Sequence, residues 1–137
     1  MAETLIRPLT REYVRETLTG LGLKVLTDPD GDALVILGNE RARGVAFMVF
    51  AVDHKGVLSY IGQVQNVSLD EGRALIKANT WNSERRWPRA FVRKGKLYLD
   101  YHWDLEQGVH PQLLKDLLVS AIAGTHQFLL WLEGTRS

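Results

Sequence analysis

Val45-Ala46-Phe47-Met48-Val49-Phe50-Ala51-Val52 is an unbroken apolar run of eight residues in a chain of 137. Side chains along a strand alternate between the two faces of its sheet, so a strand with no polar position has no face meant for water. The run therefore predicts a central strand covered on each side, by a helix or by a second subunit. It is far too short to cross a bilayer, which takes about 20 apolar residues, and Phe128 to Leu132 is shorter still.

Working outward, the run is preceded by the polar link Gly38 to Gly44 and by the alternating segment Ala33 to Leu37. Before that, Asp28-Pro29-Asp30-Gly31 supplies a proline that presets φ and a glycine that tolerates positive φ, so Leu23 to Thr27 and Ala33 to Leu37 read as a β-hairpin. Upstream, Thr10 can cap a helix whose apolar stripe is Tyr13, Val14, Thr17, Leu18 and Leu21, ending at Gly20 and Gly22. On the other side, Asp53-His54-Lys55-Gly56 turns the chain into Val57 to Val64, whose less regular continuation, Gln63 to Val67, suggests an outer strand.

Ser68-Leu69-Asp70-Glu71 has the form of a capping box and opens a second helix, with a stripe of Ala74, Leu75, Ala78 and Trp81, that runs to about Arg85 and is stopped by Pro88. Arg89 to Arg93 and Lys96 to Trp103 then form a hairpin around Lys94-Gly95, with Leu97, Leu99, Tyr101 and Trp103 on one face. Gly108-Val109-His110-Pro111 starts a third helix whose wide leucine-rich stripe must pack on the sheet or on a second copy of itself. The expected class is α+β, a twisted antiparallel sheet with flanking helices in the order α-β-β-β-β-α-β-β-α. No repeat or linker divides it, so residues 1–137 form a single domain with a core at about 9–133.

Seventeen Lys and Arg stand against sixteen Asp and Glu, a formal charge of +1. That balance excludes a chain whose whole surface grips nucleic acid or anionic lipid. The chain has no cysteine, which excludes disulfides and thiolate metal sites and makes the cytoplasm the default location. The first residues, Met1 to Pro8, have no apolar core of a signal peptide, and no membrane partner is expected.

Asn79-Thr80-Trp81-Asn82-Ser83-Glu84-Arg85-Arg86-Trp87-Pro88-Arg89-Ala90-Phe91 resembles the YbjN family, bacterial proteins often labelled sensory transduction regulators. In that family a helix ends in an Asn-x-x-Asn-like segment and passes through an aromatic or apolar residue and proline into a strand; Asn79, Asn82, Trp87 and Pro88 match. The closing Phe128-Leu129-Leu130-Trp131-Leu132 is similar to the family's final helix, and the order of elements agrees over nearly the whole chain. The resemblance implies a fold like that of type III secretion chaperones, pairing into homodimers, a protein-binding role with a partner of unknown identity, and no enzyme activity, catalytic residue or cofactor.

The residues themselves agree that chemistry is scarce. No Gly-x-Ser-x-Gly, His-Glu-x-x-His or glycine-rich phosphate loop is present, and His54, His102, His110 and His126 have no nearby nucleophile pattern. Asp100, His102 and Asp104 share a strand face that in principle suits a divalent metal, although a solvated face shows the same alternation, and no metal site is assigned. From Arg85 to Lys96 six cations, Arg85, Arg86, Arg89, Arg93, Lys94 and Lys96, run without an acid and enclose Trp87 and Phe91. Guanidinium forks and aromatic rings suit single-stranded nucleic acid, an anionic ligand or an acidic peptide. The plainer account makes Trp87 and Phe91 anchors of the helix-to-strand corner, with the arginines paired to Asp70, Glu71, Asp100 or Asp104. Asn79 and Asn82 likewise read as local backbone cappers. Trp131, beside Glu133 and Arg136, is the best single anchor for a partner. The partner-binding candidates are thus Arg85, Arg86, Trp87, Arg89 and Trp131.

Overall fold

Thr10 opens the first helix as expected: its hydroxyl accepts from the Tyr13 amide at 3.1 Å, and α1 (Arg11–Gly20) buries Val14 and Leu18 while Tyr13 stays largely in water. The computed structural model describes residues 4–39, 42–85 and 87–134. Its elements follow the expected order: α1, β1 (Leu26–Thr27), β2 (Ala33–Asn39), β3 (Ala42–Val52), β4 (Val57–Gln65), α2 (Glu71–Glu84), β5 (Arg89–Arg93), β6 (Lys96–Asp104) and α3 (Pro111–Gly134). The first strand is shorter than Leu23 to Thr27, because only Leu26 and Thr27 pair, opposite Leu34 and Ala33.

The six strands form one antiparallel sheet in the order β1-β2-β3-β4-β6-β5. This corrects the reading of β4 as an outer strand. After β4 the chain crosses through α2, β5 takes the edge, and β6 returns inside to pair with β4 from Val57↔Asp104 to Gln63↔Tyr98. Gln63 looked like an irregular edge residue, yet it is half-buried on the sheet surface and its side-chain amide donates to the Tyr98 hydroxyl at 2.9 Å.

The second helix begins two residues later than the box at Ser68 suggested. Asp70 is the cap, its carboxylate accepting from the Arg73 amide at 2.8 Å. A carboxylate there also meets the positive end of the helix, an advantage the serine lacks. The inward stripe is Ala74, Ala78 and Trp81; Leu75, assigned to it from sequence, points out at 52% exposure.

All three helices pack on the same side of the sheet. On β3 the inward residues Ala46, Met48 and Phe50 are buried, and they join Leu58 and Tyr60 of β4, Leu97 and Leu99 of β6 and the helix stripes in one core. Gly44, on the same side, brings α3 close: a Cβ there would lie 3.2 Å from the Leu129 side chain. By length and composition α3 is apolar enough to cross a membrane, but here Leu114, Leu118, Phe128 and Leu129 are fully buried as the lid of the core. Of the two covers expected for β3, one is present. Among the described residues no helix lies over Val45, Phe47, Val49 and Ala51, which remain half-exposed.

Candidate functional site

The five sequence candidates do not form one site. Arg86 lies outside the described residues, as does Arg136 beside the carboxyl end. Trp87 belongs to the corner that joins α2 to β5. It packs edge-on to Tyr101 with ring centroids 5.6 Å apart, and it presses against α3 where Gly124 leaves room for it. At the same corner the Trp81 indole N–H donates to the Pro88 carbonyl at 2.8 Å. The Asn82 amide imitates a neighbouring strand, donating to the Ala90 carbonyl and accepting from the Ala90 amide, both at 2.8 Å. The motif from Trp81 to Ala90 is therefore a structural clasp. Asn79 takes no part in it and is exposed.

Arg89 faces the bare side of the sheet. It forks onto Asp100, Nε to Oδ1 and Nη2 to Oδ2, each at 2.7 Å, and its guanidinium lies 4.8 Å from the centre of the Phe91 ring. The hydrogen bonds that Asp100 accepts raise the arginine's pKa further. Asp100 is consequently engaged, Asp104 accepts from the Glu106 amide at 3.0 Å, and His102 is exposed. The strand-face triad does not converge.

The bare side is organised in rows across the strands. One row runs Ile36, Phe47, Gln63, Tyr98, Phe91; the next runs Leu34, Val49, Ile61, Asp100, Arg89. Ile36 and Ile61 are 46% and 39% exposed. The β2–β3 part is aliphatic and aromatic, while β4 adds Ile61 among the polar Ser59, Gln63 and Gln65. The β5–β6 half is amphipathic, with Phe91 stacked on Tyr98 at 5.2 Å. Sequence reasoning asked for a cover on this side without naming the residues that lack one; the period-two pattern on β2 and β4 carried that information.

Arg85 and Trp131 meet on the opposite side, in a groove of about 700 Å³ between α2 and α3. Trp131 is half-buried and edge-packed on Trp81 at 5.3 Å, with the Lys77 ammonium 5.3 Å from its ring centre; Arg85 lies over Trp81 at 5.5 Å. Ile76 borders the groove at 66% exposure. No sequence feature singled out Lys77 or Ile76, because α2 alone does not reveal which of its faces meets α3.

Two remaining clusters are structural. Asp28, Asp30 and Asp32 bring carboxylate oxygens within 4.8 Å of one another in the first turn. Asp28 accepts from the Asp30 and Asp32 amides at 3.0 and 2.8 Å, Arg11 approaches Asp32 at 3.7 Å, and burial together with Asp28 raises the Asp32 pKa. In the core, burial pushes the Tyr60 hydroxyl's pKa well above the usual phenol value, and the neighbouring Thr125 hydroxyl offsets part of that rise.

Comparison with known proteins places this geometry. Residues 10–134 match the YbjN family, described as "Putative bacterial sensory transduction regulator". Among curated proteins none matches. Among solved structures, a chain of the HopA1-SchA chaperone-effector complex is similar, with a TM-score of 0.53 at 14% identity over 86% of this chain and 88% of that one. At that identity the likeness is one of fold.

Proposed function

The chain belongs to the YbjN family, and from that premise we propose that it is a non-catalytic, chaperone-like protein-binding module of the cytoplasm that works as a homodimer. The observation that carries this reading is the sheet whose described helices all lie on one side, leaving Leu34 and Ile36 of β2, the apolar positions of β3 and Ile61 of β4 on the bare side. Strands about 4.8 Å apart and like-facing residues about 6.8 Å apart give each position about 33 Å², so the seven apolar residues Leu34, Ile36, Val45, Phe47, Val49, Ala51 and Ile61 make a patch of roughly 230 Å². A symmetric pair that reaches the roughly 1,000 Å² of a specific interface therefore also takes in the β6 and β5 part of the same face. A second copy presents the same apolar half to it, and stacked sheets pack about 10 Å apart without new backbone partners. The shared fold with a chaperone that holds an effector supports polypeptide as the cargo class. The absence of catalysis is supported by dispersal, since Asp100 is neutralised by Arg89 and the other described site candidates sit in separate places.

Light scattering tests the reading. Wild type should run at twice the chain mass of 15.5 kDa, and Ile36→Lys with Phe47→Lys should run as a folded monomer. A wild type that stays monomeric at micromolar concentration defeats the dimer. The rival reading, a nucleic acid or anionic ligand across Arg85 to Lys96, has one observation in its favour. Arg89, Arg93 and Lys96 lie on the bare side of the β5–β6 hairpin beside Phe91 and Tyr98. Those rings already stack on each other and Arg89 is held by Asp100. It predicts a steep fall of binding with salt, which dimerisation through an apolar face does not.

A further inference from the structure

Three concavities on the helical side share Lys77. The largest lies against Trp131 and Arg85, a second is bordered by Leu69, Arg73 and Ile76, and a third by Arg43, Ser68 and Leu132. They join into one furrow along α2, whose 14 residues span about 21 Å. Its apolar lining is Leu69, Leu130 and Trp131, with Ile76 standing exposed at the rim. Among the described residues along it, the cations Arg43, Arg73, Lys77 and Arg85 face only two carboxylates, Glu84 and Glu133, and Glu133 accepts from the Arg43 amide at 2.8 Å.

We propose that this furrow binds an acidic amphipathic helix of a partner polypeptide, its apolar stripe against Ile76 and Trp131 and its carboxylates against Lys77, Arg85 and Arg73. The inference rests on the protein-binding reading and names the chemistry of the bound segment. A helix fits better than an extended strand because the furrow lies between two helices and offers no sheet edge to pair with peptide backbone. An acidic segment fits because the cations outnumber the carboxylates along its length. A nucleic acid fits poorly. The Lys77 ammonium lies over the Trp131 ring, and Trp81 and Phe128 pack against it at 5.3 and 5.7 Å, so a stacking base would have to displace Lys77.

The test is fluorescence anisotropy on the full chain with three labelled probes: a leucine-bearing amphipathic peptide with Glu on its polar face, the same peptide with Lys there, and oligothymidylate. The acidic peptide should bind at least tenfold more tightly than the basic one, about 1.4 kcal/mol. Ile76→Asp, at an exposed position that tolerates polarity, should weaken the acidic peptide about tenfold. Lys77→Glu with Arg85→Glu should reverse the preference. Equal affinity for the two peptides, no affinity for either, or tighter binding of oligothymidylate overturns the proposal. So does conversion of the dimer to a monomer by Ile76→Asp with peptide binding unchanged, which would make the furrow a self-association seam. Light scattering on the same variants keeps the two readings apart: loss of peptide binding with an intact dimer removes the furrow alone, and a monomer that still selects the acidic peptide removes the bare-face dimer alone.

Discussion

Gly124 sits in the middle of α3 where the Trp87-Pro88 corner touches down, and replacing it with alanine tests whether that corner is a rigid structural clasp. A Cβ there would stand 2.6 Å from Trp87 Cζ3, 3.0 Å from Pro88 Cδ and 3.1 Å from Trp87 Cε3. An indole ring and a proline cannot yield as a lysine tip would, so the corner or the helix must move. Overpacking of this kind costs about 1–3 kcal/mol. Alanine returns about 1 kcal/mol of helix propensity over glycine, which leaves a net destabilisation of up to about 2 kcal/mol. Gly20→Ala is the matched control, because nothing lies within 4 Å of its new methyl, and it should be neutral or stabilising by up to about 1 kcal/mol. Urea unfolding followed by circular dichroism gives both values. Trp87→Phe should recover part of the loss in the Gly124→Ala background, with a coupling of about 1 kcal/mol. A Gly124→Ala protein at least as stable as wild type, with no coupling to position 87, would refute the clasp.

Asn82→Ala removes both bonds to the Ala90 backbone and should cost about 2 kcal/mol in the same urea assay, because a strand amide and carbonyl lose their partners together. Asp70→Ala should cost about 1 kcal/mol through loss of the cap on Arg73, while Ser68→Ala should change stability little. Tyr60→Phe should change stability by less than about 1 kcal/mol near neutral pH, since the buried hydroxyl it deletes has only Thr125 beside it. The pH dependence has a definite sign. With the folded pKa raised above 10.0, the unfolded tyrosine ionises first, so wild type loses stability as pH climbs past that value and Tyr60→Phe loses less.

Much of the fold was legible because its signals are local. The turn Asp28 to Gly31, the hairpin around Lys94-Gly95 and the stop at Pro88 each need only a few residues to be recognised, and each is where expected. The errors arose where the deciding contact is distant. β4 looked like an edge strand because its polar end, Gln63, is satisfied by Tyr98, 35 positions later in the chain. Leu75 looked like core because its spacing from Ala74 and Ala78 fits a helical stripe, and only the placement of α2 over β5 and β6 shows that the stripe is narrower. The Arg85-to-Lys96 cations looked like one patch because they are contiguous. The end of α2 leaves Arg85 on the helical side, while β5 and β6 put Arg89, Arg93 and Lys96 on the bare side.

The apolar octapeptide of β3 contains the strongest functional argument for the same reason. A sheet with one wet face writes polar residues at alternate positions, as β6 does with Tyr98, Asp100 and His102. β3 places Val45, Phe47 and Val49 on the side that no described helix reaches, and β2 and β4 extend that patch with Leu34, Ile36 and Ile61. Two adjacent strands, β2 and β3, breaking the alternation in register, with Ile61 of β4 beside them, is not explained by the core on the other side. An apolar surface of this extent is unfavourable in water unless something covers it. The helical side offers a different chemistry, an apolar lining set among cations. With the bare face taken by a second copy and the furrow by an acidic helix, as proposed, a dimer would hold two partner segments without competition between assembly and binding. A variant altered on either face should therefore lose one property and keep the other.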